Sequence, residues 1–319
     1  MEIEVLAPAL ATEGKISQVR LSPDGRRLAF TVAGAADAGL YVADVGAGEA
    51  LKLVGYPGWQ SPEIGWSPDG ALVAYRIAAA TPGYDDQVGW VSAAERGEIN
   101  RCEGQAFAWA PRARVLFVAD CKALALVRHD PDQGTSRPLS DFHHHNDQGA
   151  RFVPRVASSP DGARLAYVAR NELEDTSRVF CVERRNGELK TELLTWIPGA
   201  DAHVFPFWSP KGVSLGLYVV HQGLDKTGIV LVKGLQGEGE IFYESAQMDG
   251  LAPPAWAPDG HALALVRRGD ELCRLDLGDR SLHPLCAPGA VRGEPRFAAD
   301  GRLVVEGGAA AYLLAWAGG

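Results

Sequence analysis

The residues best equipped for chemistry in this chain are its histidines and the acids beside them. Asp141-Phe142-His143-His144-His145-Asn146-Asp147, followed by Arg151, is the densest polar run in the sequence. Asp201 and His203 stand in a second segment and His221 in a third. Imidazoles and carboxylates gathered at one place can ligate zinc or a similar metal, shuttle protons, or hold an anionic ligand once protonated. The spacing weighs against a metal, because three consecutive residues cannot all face one ion unless the loop bends sharply. The plainer reading is a simply solvated surface loop, and contact with a ligand or partner is the reading beside it. On either reading no residue is catalytic and no cofactor is expected, with a metal at the histidine cluster as the alternative.

A second arrangement invites a nucleophile assignment and does not earn it. Gly212-Val213-Ser214-Leu215-Gly216 matches the G-x-S-x-G pattern of a hydrolase elbow. That pattern works only when the serine sits on a strand-to-helix turn. Here the following residues, Leu217 to Val220, read as a strand, which puts Ser214 in a β-hairpin.

The elements that must position these groups follow from a repeat. Trp66-Ser67-Pro68-Asp69-Gly70 returns in recognisable form in seven places: Leu21–Gly25, Trp66–Gly70, Trp109–Ala113, Ser158–Gly162, Trp208–Gly212, Trp256–Gly260 and Phe297–Gly301. A period of roughly forty to fifty residues is that of a propeller blade. Proline pre-sets φ at the first turn position, aspartate bonds its own backbone, and glycine takes positive φ without strain, so each copy is a tight turn between two strands. Leu40–Val45 and Ala50–Val54 add two further strands in the first unit, as Val179–Arg184 and Thr191–Trp196 do in the fourth. The last unit has only Glu294–Ala298, Arg302–Val305 and Ala311–Trp316, while Glu2–Leu6 reads as a strand without a partner. The expected fold is therefore an all-β, seven-bladed β-propeller of four-stranded blades, a single domain over residues 1–319, its ring closed by the N-terminal strand pairing in the last blade.

Propeller geometry gathers alternate loops on one face. The 141–151 run and Asp201 then lie in neighbouring loops, and pairing around the Lys211 turn sets His203 almost opposite His221. Asp85, Asp86, Glu172, Glu174, Asp175 and Asp225 make the same face acidic, and Glu63, Arg155, Glu294 and Arg296 on first strands are candidates for the channel wall. Cys273 and Cys286 flank a hairpin near Asp279-Arg280 and are expected opposite each other as free thiols.

Taken together, the Trp-Ser-Pro-Asp-Gly turn and the Arg/Ala-Leu-Ala-Phe/Tyr strand after it resemble the TolB-type propeller repeat. The same repeat builds the propeller domain of prolyl-oligopeptidase-type serine peptidases. The resemblance spans essentially the whole chain and implies a fold, not a chemistry. The extra N-terminal domain of TolB and the hydrolase domain of the peptidases have no counterpart among these residues, so hydrolase activity does not carry over.

The formal net charge of −9 and the lack of a basic stripe argue against nucleic acid. No segment is long and apolar enough for a membrane span, and the acidic start Met1-Glu2-Ile3-Glu4 is unlike a secretory leader, so a cytoplasmic location is expected. Two function classes remain. The first, favoured, is a non-enzymatic scaffold binding a protein, peptide or small ligand at the loop-rich face and channel mouth. The second is a propeller enzyme of lactonase, lyase or hydrolase type using His143, His145, His203 or His221. A detached partner for a separate hydrolase is a further possibility, resting on the fold analogy alone.

Overall fold

The computed structural model describes residues 3–5, 15–34, 38–45, 49–55, 63–77, 86–120, 125–141, 155–171, 175–186, 188–199, 202–235, 239–246, 249–286, 289, 291–298, 300–306, 311–314 and 316. Within them the chain is a β-propeller of four-stranded antiparallel sheets. In chain order the sheets are β2–β5 (15–55), β6–β9 (64–103), β10–β13 (106–141), β14–β17 (155–198), β18–β21 (202–245) and β22–β25 (255–284). The last combines β26 (Arg292–Phe297), β27 (Leu303–Glu306) and β28 (Ala311–Leu314) with β1 (Ile3–Val5). The N-terminal strand sits on the outer side of β28, with Ile3 opposite Leu314 and Val5 opposite Tyr312.

The chain divides into two compact units, 1–75 with 89–101 and 252–319, and 76–88 with 102–251. The first unit holds the β2–β5, β22–β25 and β26–β28–β1 sheets complete, and the second holds β10–β13, β14–β17 and β18–β21 complete. The expectation of seven blades is corrected on this point. Six blades are whole within one unit or the other, whereas the strands of the β6–β9 sheet are apportioned to both.

Period-two alternation explains why the blades pack. Strand β15 (Arg164–Asn171) carries Leu165, Tyr167 and Ala169 on one face, where they join Ala106, Ala119 and Leu126 of the preceding blade. Ala166 and Val168 point the other way, into a cluster with Val204, Leu215 and Leu217 of the next. A strand buried on both faces must be apolar throughout, which is why Leu165-Ala166-Tyr167-Val168 does not alternate. Two of these central strands carry the same ring pair: Phe30 stacks on Tyr41 at 5.7 Å and Tyr167 on Phe180 at 5.1 Å.

The turns act as joints as well as bends. Ser22, Ser67 and Ser159 each donate Oγ–H to the aspartate two residues on, at 2.6 Å in every case. Gly25, Gly70 and Gly162 lie at φ of 72°, 70° and 73°, each donating its N–H to the carbonyl of that serine. Trp66 Nε1 donates to the Arg20 carbonyl of the preceding blade at 2.9 Å, and Trp208 Nε1 donates to Ala157 at the equivalent place at 3.0 Å. Arg27 reaches forward to the Gly70 carbonyl and Arg164 to that of Gly212. Each joint thus satisfies a carbonyl of one blade with a side chain of its neighbour. The Ala110-Pro111-Arg112-Ala113 copy lacks glycine and bonds differently, Val115 N–H closing on the Ala113 carbonyl at 2.7 Å.

Ser214 is the first residue of β19 (Ser214–His221), paired with Lys233, so the G-x-S-x-G match lies at a turn-to-strand junction. One pairing expectation is corrected by register, and the other, His203 almost opposite His221, holds to within one residue. Cys273 faces Pro284 rather than Cys286, and both thiols are free. His203, on β18 (Ala202–Trp208), faces Val220, while His221 faces Ala202.

Candidate functional site

That one-residue offset decides what His203 and His221 can do together. Directly opposed residues of an antiparallel pair share a face, and consecutive residues alternate. His221 therefore shares the face of Ala202 and His203 points from the other, so the sheet itself separates the imidazoles. His203 is exposed and His221 half-buried. His143, His144, His145, Asp147, Arg151 and Asp201 lie outside the described residues. Among the described residues, no three His, Cys, Asp or Glu side chains are grouped to hold a metal ion.

The structure instead concentrates buried charge on the first strands of two blades in the first unit. In β2 (Lys15–Leu21), the pairing with β3 (Arg27–Ala33) slips between Ser17 and Arg20, and Gln18 takes a φ of 53°. In β26 the pairing with β27 slips between Arg292 and Arg296, and Gly293 takes a φ of 77°. These are β-bulges, which re-aim side chains and leave a backbone group without its ladder partner.

The orphan of the β2 bulge is met by a charge from the neighbouring blade. The Val19 N–H donates to Glu306 Oε1 at 2.8 Å, and the Glu306 carboxylate lies so close to Gly293 that a Cβ there would strike it. The Arg20 guanidinium donates to Glu294 Oε2 at 2.5 Å, to the Val19 carbonyl at 2.9 Å and to Gln18 Oε1 at 3.2 Å. The other oxygen of Glu294 pairs with Arg296 at 2.5 Å. Arg20 is buried, whereas Arg296 is exposed. Burial lowers the Arg20 pKa, opposed by Glu294, Glu306 and Glu63, and burial pushes the Glu306 carboxyl up, opposed by Arg20 and by the Val19 N–H.

Glu294 is thus clamped between two guanidiniums, and Glu306 caps a bulge. Neither is placed as a free general base. Arginine does not give up its proton, so the exposed Arg296 can offer donors to a carboxylate or a peptide carbonyl. Of the residues proposed for the channel wall, Glu294 and Arg296 are joined in this way, while Arg155 is used differently, stacked 4.8 Å over the Phe205 ring in the second unit. Sequence reasoning missed Arg20, Gln18 and Glu306. The signal was present in Gly293-Glu294-Pro295, since glycine and proline inside a strand pattern mark a bulge.

Three of the described cysteines are not poised for reaction. Burial raises the thiols of Cys102 to about 12 and of Cys181 and Cys273 to about 11, against an ordinary value of 9.0. At neutral pH they are protonated thiols, and Cys181 and Cys273 pack as small apolar core residues.

No family model matches the chain, and no curated protein matches it by sequence. Solved structures do match. An oligogalacturonate lyase from Vibrio parahaemolyticus is 14% identical with a TM-score of 0.61, over 98% of this chain and 92% of that one. A chain of the mitotic checkpoint complex is 13% identical with a TM-score of 0.63, over 99% and 94%. A prolyl endopeptidase is 15% identical with a TM-score of 0.61, over 93% of this chain and 45% of its own length. At such identities the likeness is one of fold, and it joins an enzyme, a member of a protein assembly and a propeller-bearing peptidase.

Proposed function

We propose that this chain is a binding scaffold that holds a protein or peptide partner on its loop-rich face. The observation that carries the reading is the register of β18 against β19, which sends His203 and His221 to opposite faces. An enzymatic site in this sector needs those imidazoles to converge, and a scaffold does not. The blade joints supply the rigidity that a loop-presenting frame requires, and a structural neighbour belongs to a multi-protein complex. The Trp-Ser-Pro-Asp-Gly turn supports placing the chain among TolB-type propellers. The partner's contacts are assigned to His143, His144, His145, Asp147, Arg151, Asp201, His203 and His221. A separate hydrolase is one protein such a face would accept.

The test compares the protein with a variant carrying alanine at His143, His145, His203 and His221. Both are purified without chelator and analysed for metal by mass spectrometry, then offered to lysate after a photo-crosslinker replaces the residue at position 203 of each. The scaffold reading expects sub-stoichiometric metal in both and a discrete crosslinked protein that the variant loses. Stoichiometric metal in the parent, lost in the variant, would overturn it in favour of a lyase- or hydrolase-type site.

A further inference from the structure

The outermost strand of the fourth blade is longer than every other outer strand described. β17 (Glu188–Pro198) runs for 11 residues, against 7 for β13 (Thr135–Asp141), 6 for β5 (Ala50–Gly55) and β21 (Glu240–Ser245), and 3 for β25 (Leu282–Pro284). It pairs along its length with β16 (Thr176–Arg185), and the sheet order ends at β17. A strand in that position is a template for pairing with another chain. Register with β16 puts Glu188, Lys190 and Glu192 on one face, with Arg185, Glu183 and Cys181, and puts Leu189, Thr191 and Leu193 on the other, with Arg184, Val182 and Phe180. All six β17 residues are exposed, Leu189 by 39% and Leu193 by 49%. On the charged face Arg164 bonds Glu183 at 2.9 Å, Arg185 pairs with Glu183, and Arg185 bonds Glu192 at 2.8 Å. Lys190 takes part in none of these ion pairs.

The order of these residues is self-complementary. Turned end for end about a twofold axis through Thr191, a second β17 sets Leu189 against the partner's Leu193 and Lys190 against the partner's Glu192, and the axis makes each contact twice. Directly opposed residues share a face, so leucine meets leucine on one side and lysine meets glutamate on the other. Neighbouring registers lose this match. An axis through Lys190 sets that lysine against its own copy and Leu189 against the partner's Thr191. An axis through Glu192 opposes two glutamates and sets Lys190 against the partner's Leu194. An axis falling between two residues lays leucines of one copy against charges of the other.

We propose that two copies of this chain associate through β17, antiparallel over residues 189–193 about a twofold axis at Thr191, joining their fourth blades into one eight-stranded sheet. The strand's own sequence selects the occupant, because two leucine pairs and two Lys190–Glu192 pairs form together, as an isologous contact requires. Backbone pairing supplies affinity, and the charge pairs fix the register. The proposal rests on β16 and β17 alone and does not depend on the loop-face reading.

Sedimentation of the full chain from about 1 µM to about 200 µM is expected to show a reversible monomer–dimer equilibrium, since association follows concentration. Lys190→Glu opposes acids at both charge pairs and Glu192→Lys opposes bases, so each variant alone should dimerise about tenfold more weakly, or worse. Mixed in equal amounts, the two variants regain both opposite-charge pairs, and their heterodimer should come within about threefold of the parent. Leu193→Asp should abolish dimerisation, because it sets a charge against a leucine at both ends. Register is read with diamide, the parent serving as control. Thr191→Cys should give a disulfide-linked dimer, since that position alone meets its own copy, whereas Lys190→Cys and Glu192→Cys should not. All of these positions are exposed, so melting temperatures equal to the parent's at the lowest concentration would show that the variants fold. A parent that stays monomeric throughout, a mixture no tighter than its components, indifference to Leu193→Asp, or a bridge at Lys190→Cys or Glu192→Cys in place of Thr191→Cys would overturn the proposal.

Discussion

The turn joints and the bulged pair β2 and β26 solve the same problem, tying one blade to the next, by opposite means. At the joints a neutral indole N–H meets a carbonyl, and the geometry repeats: Trp66 to Arg20 in the first unit, Trp208 to Ala157 in the second. At the bulges the ladder is interrupted and the link is ionic, with Arg20 on Glu294 and Glu306 on the Val19 N–H. A neutral hydrogen bond beside a packed ring contributes stability with little desolvation, whereas a buried ion pair repays its desolvation only with good geometry. The repeated device is what makes the fold. The irregular one places charge where a regular ladder would have placed none, and it leaves one guanidinium, Arg296, facing outward.

The comparison is tested hardest at the tryptophans. Trp66→Ala and Trp208→Ala should each cost about 3–5 kcal/mol, the usual range for emptying a large aromatic site. Trp66→Phe and Trp208→Phe should cost about 1–2 kcal/mol, the loss of one hydrogen bond and some packing. Equivalence of the two joints requires the two alanine values to agree within about 1 kcal/mol, which urea unfolding resolves. A larger gap would show that the joints are alike in geometry only.

At the bulges the expected effect is smaller. Arg20→Met removes three donors to Val19, Gln18 and Glu294. Glu294 keeps Arg296 as a counter-ion, so the loss should be about 2–3 kcal/mol rather than the full penalty of a stranded buried charge. Arg20→Met with Glu294→Leu should recover part of that loss, because the pair then leaves no ion behind. A single-variant cost under about 0.5 kcal/mol would mean that the pair behaves as an exposed one, and the contrast with the neutral joints would collapse.

How much of this was legible in the residues follows the same division. The turns were readable because Ser-Pro-Asp-Gly has a local mechanism, and the strands around them because apolar runs of that length between such turns have few other uses. The N-terminal strand was found from a missing partner in the last unit, and β1 does lie on β28. Register was not readable to one residue, which is why His203 was set only almost opposite His221, and why Cys273 was set opposite Cys286. A single-residue slip exchanges the faces of a whole strand. The bulged cluster was half visible: Glu294 and Arg296 were singled out, but Arg20 looks in sequence like any charge before a turn, and only the bulge turns it inward. The long β17 edge left a plain signal in Glu188-Leu189-Lys190-Thr191-Glu192-Leu193, alternating residues that run past the expected start at Thr191.

The smallest effect separates the two regions by the sign of their response to pH. Asp24 and Asp161 accept a serine hydroxyl and a backbone N–H in their turns, and those bonds hold their carboxyls below the ordinary 3.8. Such groups add stability that is present above the ordinary value and is lost as pH falls through the lowered one. Glu306 goes the other way. Burial raises it above 4.5, so its contribution is full below 4.5 and is lost as pH rises through the raised value. Glu306→Gln keeps an oxygen for the Val19 N–H and removes the charge. Urea midpoints of this variant, relative to the parent, should therefore rise between about pH 4 and pH 7, while those of Asp24→Asn should fall away from the parent only on leaving strong acid. A relative midpoint for Glu306→Gln that is flat or declines with pH would mean that Arg20 and the Val19 N–H hold the carboxylate as comfortably as water does, and the bulge would then be one more joint rather than a site of stored charge.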